Sequence, residues 1–361
     1  MTTSYGFAPE AVERDECEFV RGMMRWHFDP ATGSPFWVRR ARGLDFDPVQ
    51  DVRRIVDLAR FPDVTDELRD VPASDLVPVG YGRPAPVVGI FESGGTTGTP
   101  KRVVLTEDWA KALIEHTNRN LDAHGVPREA EWLGVVPSGP HIVGEFFRRT
   151  SRTHGRWGHT VDLDPRWVRR CFAEGRPRDV AAYVAHVVDQ VADILRTQDV
   201  SVLNLTPALL ERMADRPDLT ELIRRKVKAI RWGGTTLDPD SRAFYRREMF
   251  PEIVLLGNYG GTMMLGVAGE RPGGGDDRCV FDFYSPCITA RVVDPATDEA
   301  VPFGERGQVV LSHLSRGFFL PNNHERDEAT RVPAPPGGAG DSVADVTPLS
   351  AIADEVIEGV Y

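Results

Sequence analysis

The feature that most constrains the fold is the alternation of short apolar runs with longer amphipathic stretches across the middle of the chain. Each short run is typical of a strand that is buried in a sheet. These predicted strands lie at residues 87–91, 102–105, 132–136, 201–205, 229–232 and 253–256. Because strands that alternate with helices form parallel βαβ units, the sequence predicts an α/β fold.

The helices between these strands carry start signals. Thr206 and Asp238 are each followed by proline, which is typical of an N-cap residue and the first helical position. Thr106 is a further candidate N-cap, for a helix that ends before Gly125. Asp179–Thr197 is predicted to be a helix because its apolar residues form one stripe. That stripe consists of Val180, Val184, Val187, Val191 and Ile194.

After Gly269 the pattern changes, because predicted strands follow one another with turns and without a helix between them. These strands lie at residues 280–284, 288–293 and 308–313. We therefore expect a β-rich, barrel-like subdomain at 269–361 and an α/β core at 1–268. Two stretches rich in glycine and proline, 270–277 and 333–340, are predicted to be mobile loops.

The composition excludes several classes of protein. The 43 Lys and Arg residues are outnumbered by 54 Asp and Glu, which gives a net charge of −11. Such a balance argues against non-specific nucleic-acid binding. No apolar run approaches the roughly 18 residues of a membrane-spanning helix, and the first residues do not resemble a signal peptide. The four cysteines form no C-x-x-C motif, so we expect a cytoplasmic protein. From the charge and the apolar runs we expect no nucleic-acid or membrane partner.

The strongest functional signal is the segment from Ser93 to Lys101, which reads S-G-G-T-T-G-T-P-K between two predicted strands. Its glycines allow the backbone to approach an anion closely, and its hydroxyls and lysine can contact phosphate oxygens. It is not a Walker A loop, because Pro100 separates Gly98 from Lys101 and a strand follows instead of a helix. The segment predicts a phosphate-binding loop.

This segment closely resembles the phosphate loop of the adenylate-forming enzymes, which include acyl- and aryl-CoA ligases. Further segments resemble motifs of that family in the same order along the chain. They lie at residues 137–144, 230–235, 256–262, 304–311 and 340–341. The resemblance implies the N-terminal core of such an enzyme, with two α/β subdomains and a β-rich one, and ATP and Mg²⁺ as cofactors.

The resemblance also implies a role for individual residues. The phosphates of ATP would contact Ser93, Gly94, Gly95, Thr96, Thr97, Gly98, Lys101 and Thr262. The adenine would contact Gly233, Gly234, Thr235, Asn258, Tyr259 and Gly260, and the ribose hydroxyls would donate to Asp341. The carboxylate substrate would lie among His141, Gly144, Gly234, Met263 and Met264. Glycine and adaptable methionine side chains suit a broad, flat ring, so we expect an aromatic acid.

The sequence departs from the family pattern in two places. The family has an acidic residue that helps to hold Mg²⁺ where this chain has Met263, and a thioether cannot replace a hard oxygen ligand. The metal ligands are therefore unknown. The chain ends twenty residues after Asp341, so we expect the C-terminal lid domain of the family to be absent.

These features are similar to those of adenylating proteins from phenazine-antibiotic pathways, which implies a phenazine carboxylate as substrate in secondary metabolism. Because the lid domain carries the surface that admits CoA, we expect no thioester formation. A separate reductase or acyltransferase would then take the acyl-adenylate.

Other classes are less well supported by the residues. No G-x-S-x-G or H-E-x-x-H motif occurs, which argues against a serine hydrolase or a zincin. Cys279, Cys287 and His313 do not have the spacing of a standard metal site. One alternative from a different class stays open: a non-catalytic protein that binds a nucleotide or a carboxylate and derives from a ligase core.

Overall fold

The computed structural model describes residues 16–93, 99–273 and 278–349. The chain divides into two compact units. Of the described residues, unit 1 takes 16–93, 99–113, 261–267 and 282–343, and unit 2 takes 114–260, 268–273, 278–281 and 344–349. The sequence predicted one boundary between residues 268 and 269, whereas each unit uses chain from both sides of that position.

The described helices and strands are as follows, in chain order. The α-helices are α1 (Glu16–Phe28), α2 (Pro35–Arg40), α3 (Pro48–Asp51), α4 (Glu107–Ala123), α5 (Ile142–Thr153), α6 (Pro165–Ala173), α7 (Pro177–Thr197), α8 (Pro207–Ala214), α9 (Pro217–Lys226) and α10 (Pro239–Phe244). The strands are β1 (Val87–Glu92), β2 (Arg102–Thr106), β3 (Glu131–Val135), β4 (Trp157–Val161), β5 (Val200–Leu205), β6 (Ala229–Trp232), β7 (Val254–Gly261), β8 (Gly266–Glu270), β9 (Val280–Asp282), β10 (Ile288–Val293), β11 (Arg306–Leu314), β12 (Phe319–Pro333) and β13 (Asp341–Pro348).

Unit 2 contains the predicted parallel sheet. Its strands lie in the order β7-β6-β5-β3-β4, and each neighbouring pair is parallel. Three of the five residues of the predicted α7 stripe, Val180, Val187 and Val191, are buried. The other two, Val184 and Ile194, are partly exposed. Trp132 of β3 is fully buried among apolar residues that come from several elements of this unit. The α/β prediction is confirmed for this part of the chain.

The two proline-marked helix starts are confirmed, with one correction. The Asp238 carboxylate accepts the Ser241 N–H at 2.9 Å and caps α10. Thr206 occupies the N-cap position of α8, but among the described residues its buried hydroxyl has no hydrogen-bond partner. The prediction that this side chain caps the helix was therefore wrong. Pro207 at the first helical position supplies the start signal, because its fixed φ suits a helix.

Unit 1 contains antiparallel structure. Strands β1 and β2 form a two-stranded antiparallel sheet, and β11 pairs antiparallel with both β10 and β12. The predicted strands at 288–293 and 308–313 correspond to β10 and β11, and no helix separates them. The sequence missed β12, because its middle is polar and its pairing with β11 contains register shifts.

Glu270 corrects the prediction of a mobile loop at residues 270–277. It ends β8 and is 3% exposed. Its carboxylate pairs with Arg242 and accepts the Gly257 N–H at 2.7 Å, and its carbonyl accepts the Asn120 Nδ2–H at 2.9 Å. A buried charge needs such partners, so the carboxylate fixes this end of the stretch. Residues 274–277 lie outside the described residues.

Candidate functional site

The phosphate-loop segment of unit 1 joins β1 to β2 at the end of an antiparallel pair. The Ser93 N–H donates to the Lys101 carbonyl at 2.9 Å, and the Lys101 N–H donates to the Ser93 Oγ at 3.0 Å. One residue further out, the Arg102 Nε donates to Glu92 at 3.1 Å. These bonds close the base of the loop. The predicted phosphate contacts Gly94, Gly95, Thr96, Thr97 and Gly98 lie outside the described residues.

The Lys101 ammonium faces a short 3-10 helix, Thr65–Arg69, which the sequence did not predict. Its Nζ lies 3.1 Å from Asp66 Oδ1, and the Lys101 side chain is 18% exposed. The hydrogen bond and charge of Lys101 hold the pKa of Asp66 below its usual value. The Arg69 guanidinium donates to the Thr99 carbonyl at 2.5 Å and lies 3.3 Å from the same Asp66 oxygen. Two side chains of this helix therefore contact the described end of the loop.

Glu325 of β12 is a further acidic group in the electrostatic surroundings of Lys101. Burial raises its pKa to about 7, and the charge of Asp327 adds to the shift. A 2.7 Å hydrogen bond from Asn323 and the charge of Lys101 act in the opposite direction. A carboxyl group with this pKa changes its charge near neutral pH. No pattern in the sequence pointed to Glu325, because β12 was not predicted.

Asp341 begins β13 and is buried, with 7% exposure. Its Oδ2 lies 2.9 Å from the Arg331 Nε and accepts the Val292 N–H at 3.2 Å. Burial raises its pKa, and the ion pair with Arg331 opposes that shift. Gly340 has a φ of 79°, and a Cβ there would lie 2.8 Å from the Ala290 carbonyl oxygen, so the Gly-Asp pair needs its glycine. The ribose contact of Asp341 stays a prediction.

Thr262, Met263 and Met264 lie on a tight turn of unit 1. The Leu265 N–H donates to the Thr262 carbonyl at 3.1 Å, and Met263 and Met264 are 8% and 2% exposed. The Trp109 Nε1–H donates to the Leu265 carbonyl at 2.8 Å. His313 Nδ1 lies 2.6 Å from the Met264 carbonyl, so this nitrogen carries the proton that it donates. Two buried side chains therefore hold this turn in place.

In unit 2 the structure brings the two predicted adenine segments together. The first segment follows β6, and the second forms the last residues of β7. The two strands are parallel neighbours with Trp232 opposite Gly257, so both segments lie at the same edge of the parallel sheet. The Asn258 Nδ2–H donates to the Trp232 carbonyl at 2.9 Å. The Arg231 Nε–H donates to Asn258 Oδ1 at 2.5 Å. The carboxyl edge of a parallel sheet is where such folds bind ligands.

The residues at this edge of the sheet differ in backbone conformation, ring contacts and exposure. Gly234 has a φ of 87°, which favours glycine, and a Cβ at Gly233 would lie 2.9 Å from the Asn258 carbonyl oxygen. The Tyr259 ring lies 6.0 Å from that of Phe281, tilted by 46°. Burial lowers the pKa of Arg231 to about 10. Thr235 and Gly260 also lie on these segments, half-buried and exposed respectively.

His141 and Gly144, two predicted substrate contacts, lie at the start of α5 in unit 2. His141 is the N-cap residue and is 7% exposed. A Cβ at Gly144 would lie 2.7 Å from the Pro137 carbonyl oxygen, so the helix approaches its own leading loop closely. The other predicted substrate contacts are divided between the units, with Gly234 in unit 2 and both methionines in unit 1. A joint pocket stays a prediction.

Among residues 16–93, 99–273 and 278–349 there is no group of three or more His, Cys, Asp or Glu that could hold a metal ion. In the same ranges no helix has both the length and the apolar character needed to cross a membrane.

Comparison with protein families identifies one matching segment. Residues 179–316 match the family described as AMP-binding enzyme. The match includes both segments at the carboxyl edge of the unit 2 sheet and the turn at Thr262. It does not include the phosphate-loop segment or Asp341.

Two curated relatives are similar to longer parts of the chain. A 4-coumarate–CoA ligase-like 4 protein of Oryza sativa subsp. japonica is 23% identical over 251 residues, which are 68% of this chain and 40% of the relative. The medium/long-chain-fatty-acid–CoA ligase FadD8 of Mycobacterium tuberculosis (strain ATCC 25618 / H37Rv) is 23% identical over 310 residues, 81% of this chain and 48% of the relative. The matched part of the chain therefore spans less than half the length of either relative.

Solved structures of 2-hydroxyisobutyryl-CoA ligase share the fold. An open conformation in complex with 2-HIB-AMP and CoA has a TM-score of 0.64 at 15% identity, and covers 91% of this chain and 69% of that one. The thioesterification state has a TM-score of 0.64 at 17% identity, with 92% and 67% covered. The fold is that of the N-terminal core of an adenylate-forming enzyme. Residues 179–316 of a chain with this fold thus match the AMP-binding enzyme family.

Proposed function

We propose that this protein uses ATP to activate a carboxylic acid as an acyl-adenylate and releases pyrophosphate. The observation that carries the proposal is the AMP-binding enzyme segment at residues 179–316, on a chain with an adenylate-forming fold. In the reaction a carboxylate oxygen attacks the α-phosphorus and forms a new P–O bond. The bond from the α-phosphorus to the bridging oxygen breaks, and pyrophosphate leaves with its electron pair.

No protein nucleophile is needed for this step, because the substrate carboxylate is itself the nucleophile. Catalysis then consists of positioning the reactants and stabilising charge. We propose that Lys101 contacts the β- and γ-phosphates, that Tyr259 lies against adenine, and that Asp341 accepts from the ribose hydroxyls. The closed base of the loop at Ser93 and Lys101 supports the first assignment, since it fixes where the lysine leaves the backbone.

The Mg²⁺ that the resemblance implies would accompany the phosphates of ATP. The residue after Thr262 is Met263, whose thioether is a poor ligand for a hard cation. Mg²⁺ would supply positive charge to the phosphates as pyrophosphate leaves.

The finer parts of the proposal rest on the sequence resemblance. We propose an aromatic acid as substrate, with a phenazine carboxylate as the most specific candidate and antibiotic or other secondary metabolism as the setting. The adaptable methionine side chains at 263 and 264 support a flat ring. We also propose that a separate reductase or acyltransferase takes the adenylate.

A second candidate function is nucleotide binding without turnover. It is favoured by the two ion pairs that already engage the proposed ATP contacts, Lys101 with Asp66 and Asp341 with Arg331. Binding ATP would have to displace or share these partners. Such a protein would hold a nucleotide or a carboxylate without joining the two.

Exchange of labelled pyrophosphate into ATP separates the two candidates. The protein is incubated with ATP, Mg²⁺, labelled pyrophosphate and one acid at a time, from a panel of aromatic and aliphatic acids. Acid-dependent exchange that is lost in Lys101→Ala supports the enzyme. ATP binding without exchange for any acid supports the non-catalytic protein. Exchange with fatty acids and none with aromatic acids would overturn the substrate class alone.

A further inference from the structure

We propose that Arg69 is a positioning residue for the phosphate loop, which fixes the Thr99 end of the loop and thereby places the Lys101 ammonium. The inference rests on the proposed function, because it gives Arg69 a role in directing Lys101 towards the phosphates of ATP. It concerns the 3-10 helix Thr65–Arg69, which lies outside every motif that the sequence indicated.

Arg69 contacts the backbone at the end of the loop and also the side chain that pairs with Lys101. One guanidinium nitrogen, Nη1, donates to the Thr99 carbonyl at 2.5 Å. The other, Nη2, lies 3.3 Å from Asp66 Oδ1, and that same oxygen lies 3.1 Å from Lys101 Nζ. A single planar group therefore holds the loop backbone and the partner of the loop lysine at once.

The geometry between Thr99 and Lys101 is suited to transmit this restraint. Only Pro100 separates the two residues. A proline ring fixes φ and removes one backbone degree of freedom. Lys101 itself is bound to Ser93 by two hydrogen bonds. Its N–H donates to the Ser93 Oγ, and its carbonyl accepts the Ser93 N–H. With Thr99 held by Arg69, the Cα of Lys101 is restrained from both directions along the chain.

The helix that carries Arg69 is itself well anchored. Leu68 is 1% exposed, and the Asp63 carboxylate accepts the Thr65 N–H at 2.8 Å at the start of the helix. The Arg69 side chain is 21% exposed, whereas that of Asp66 is 86% exposed. An ion pair as exposed as that of Asp66 contributes little. We therefore assign the positioning role to Arg69, and Asp66 is a partner that phosphate oxygens can displace.

The chemistry of the side chain also favours arginine at this position. A guanidinium presents several N–H donors in one fixed plane, whereas an ammonium is a point charge on a flexible stem. Lysine at position 69 could reach one of the two acceptors, but it could not hold both in a fixed geometry. Arg69→Lys should therefore retain only part of the ATP affinity that is lost in Arg69→Ala.

The test measures the affinities of ATP and AMP by isothermal titration calorimetry in Arg69→Ala, Arg69→Lys and a matched control. Arg39→Ala is the control, because Arg39 pairs with Asp75 at 2.6 Å and also belongs to unit 1. For Arg69→Ala we expect about tenfold weaker ATP binding, the size of one charge-assisted hydrogen bond. AMP lacks the β- and γ-phosphates, so its affinity should be unchanged. Arg69→Lys should be intermediate, and Arg39→Ala should bind both nucleotides normally.

The Lys101→Ala background tests whether Arg69 acts through Lys101. In that background the additional loss of ATP affinity caused by Arg69→Ala should fall to about twofold or less, because the effects of coupled residues are not additive. Equal loss of ATP and AMP affinity, full additivity with Lys101→Ala, or unchanged ATP affinity in Arg69→Ala would each overturn the inference. No ATP binding by the unsubstituted protein would overturn the proposed function as well, so the two failures are distinguishable.

Discussion

The Arg242–Glu270 pair of unit 2 is buried, with side chains 2% and 4% exposed, whereas the Lys101–Asp66 pair of unit 1 leaves Asp66 86% exposed. The buried pair is supported by the Gly257 N–H and by Arg246, 3.5 Å away. The exposed pair lies beside a loop that resembles a phosphate-binding motif. We therefore expect that the fold requires the buried pair, whereas the Lys101 ammonium can exchange its partner for a ligand.

Breaking the buried pair should have the largest effect. Arg242→Met leaves Glu270 without its main partner, and loss of one partner of a buried pair costs about 3–5 kcal/mol of unfolding free energy. Denaturant unfolding at neutral pH measures the change. The double variant Arg242→Met with Glu270→Gln is the control, and it should lose less than the single variant. If Arg242→Met lost less than about 1 kcal/mol of unfolding free energy, which is the range of an exposed ion pair, the buried and exposed pairs would not differ in stability.

Two buried histidines of unit 1 provide the second prediction. Burial lowers the pKa of His27 to about 4 and that of His313 to about 3, from an ordinary value of 6.5. Below pH 6.5 the unfolded chain takes up protons that the folded state excludes. The stability contribution of each histidine is therefore complete above pH 6.5 and is lost as the pH falls towards its folded-state pKa, about 4 for His27 and about 3 for His313. For His27 alone the loss is on the order of 3 kcal/mol.

The measurement for this prediction is unfolding free energy as a function of pH between 4 and 7. His27→Gln is the informative variant, because its amide nitrogen can replace the Nε2–H that bonds the Ser315 carbonyl at 2.7 Å without titrating. Its curve should be flatter than that of the unsubstituted protein. Parallel curves would show that His27 does not titrate differently on unfolding.

Removing the charge of the exposed pair should affect ligand binding more than stability. Lys101→Ala should cost about 1.5–3 kcal/mol of ATP affinity, the size of a hydrogen bond to a charged group, and much less of AMP affinity. Asp341→Ala is the matched variant, because a ribose contact would weaken ATP and AMP alike. If both variants lowered AMP affinity equally, the assignment of the phosphate and ribose ends would be wrong.

The smallest effect is expected for the partner of Lys101. Asp66→Asn removes an exposed ion pair, so the unfolding free energy should change by less than about 1 kcal/mol. The same change removes a negative charge beside the proposed phosphate contact, so ATP affinity should rise slightly. Unfolding and ATP titration of the same preparation check both expectations. A stability loss comparable to that of Arg242→Met would contradict the comparison of the two pairs.

The sequence predicted those parts of the fold that depend on local pattern. Strands β6 and β10 and helix α7 follow from apolar runs, periodicity and proline positions, which act over a few residues. The predicted strand at 280–284 is shorter in the structure, because β9 ends at Asp282. Strand β12 was missed because its polar residues are stabilised by pairing with β11, which is a long-range contact.

The same distinction applies to the candidate site. The segments around Gly234 and Tyr259 were found from motifs, and the structure places them at the carboxyl ends of two neighbouring parallel strands. Arg69 and Glu325 were missed, because their relation to Lys101 depends on chain segments about 30 and 220 residues away along the sequence. The partners of Glu270 were likewise invisible, and its glycine-rich surroundings suggested a loop. Charges whose partners are distant in sequence cannot be predicted from local pattern.

The formation of an acyl-adenylate is the central claim, and mass spectrometry of a single reaction tests it most directly. The protein is incubated with ATP, Mg²⁺ and each acid of the panel, with and without CoA, and the products are identified by mass. The account predicts acyl-AMP and pyrophosphate with an aromatic acid, and loss of both products in Lys101→Ala. Bound, unchanged ATP with every acid and no acyl-AMP would contradict it.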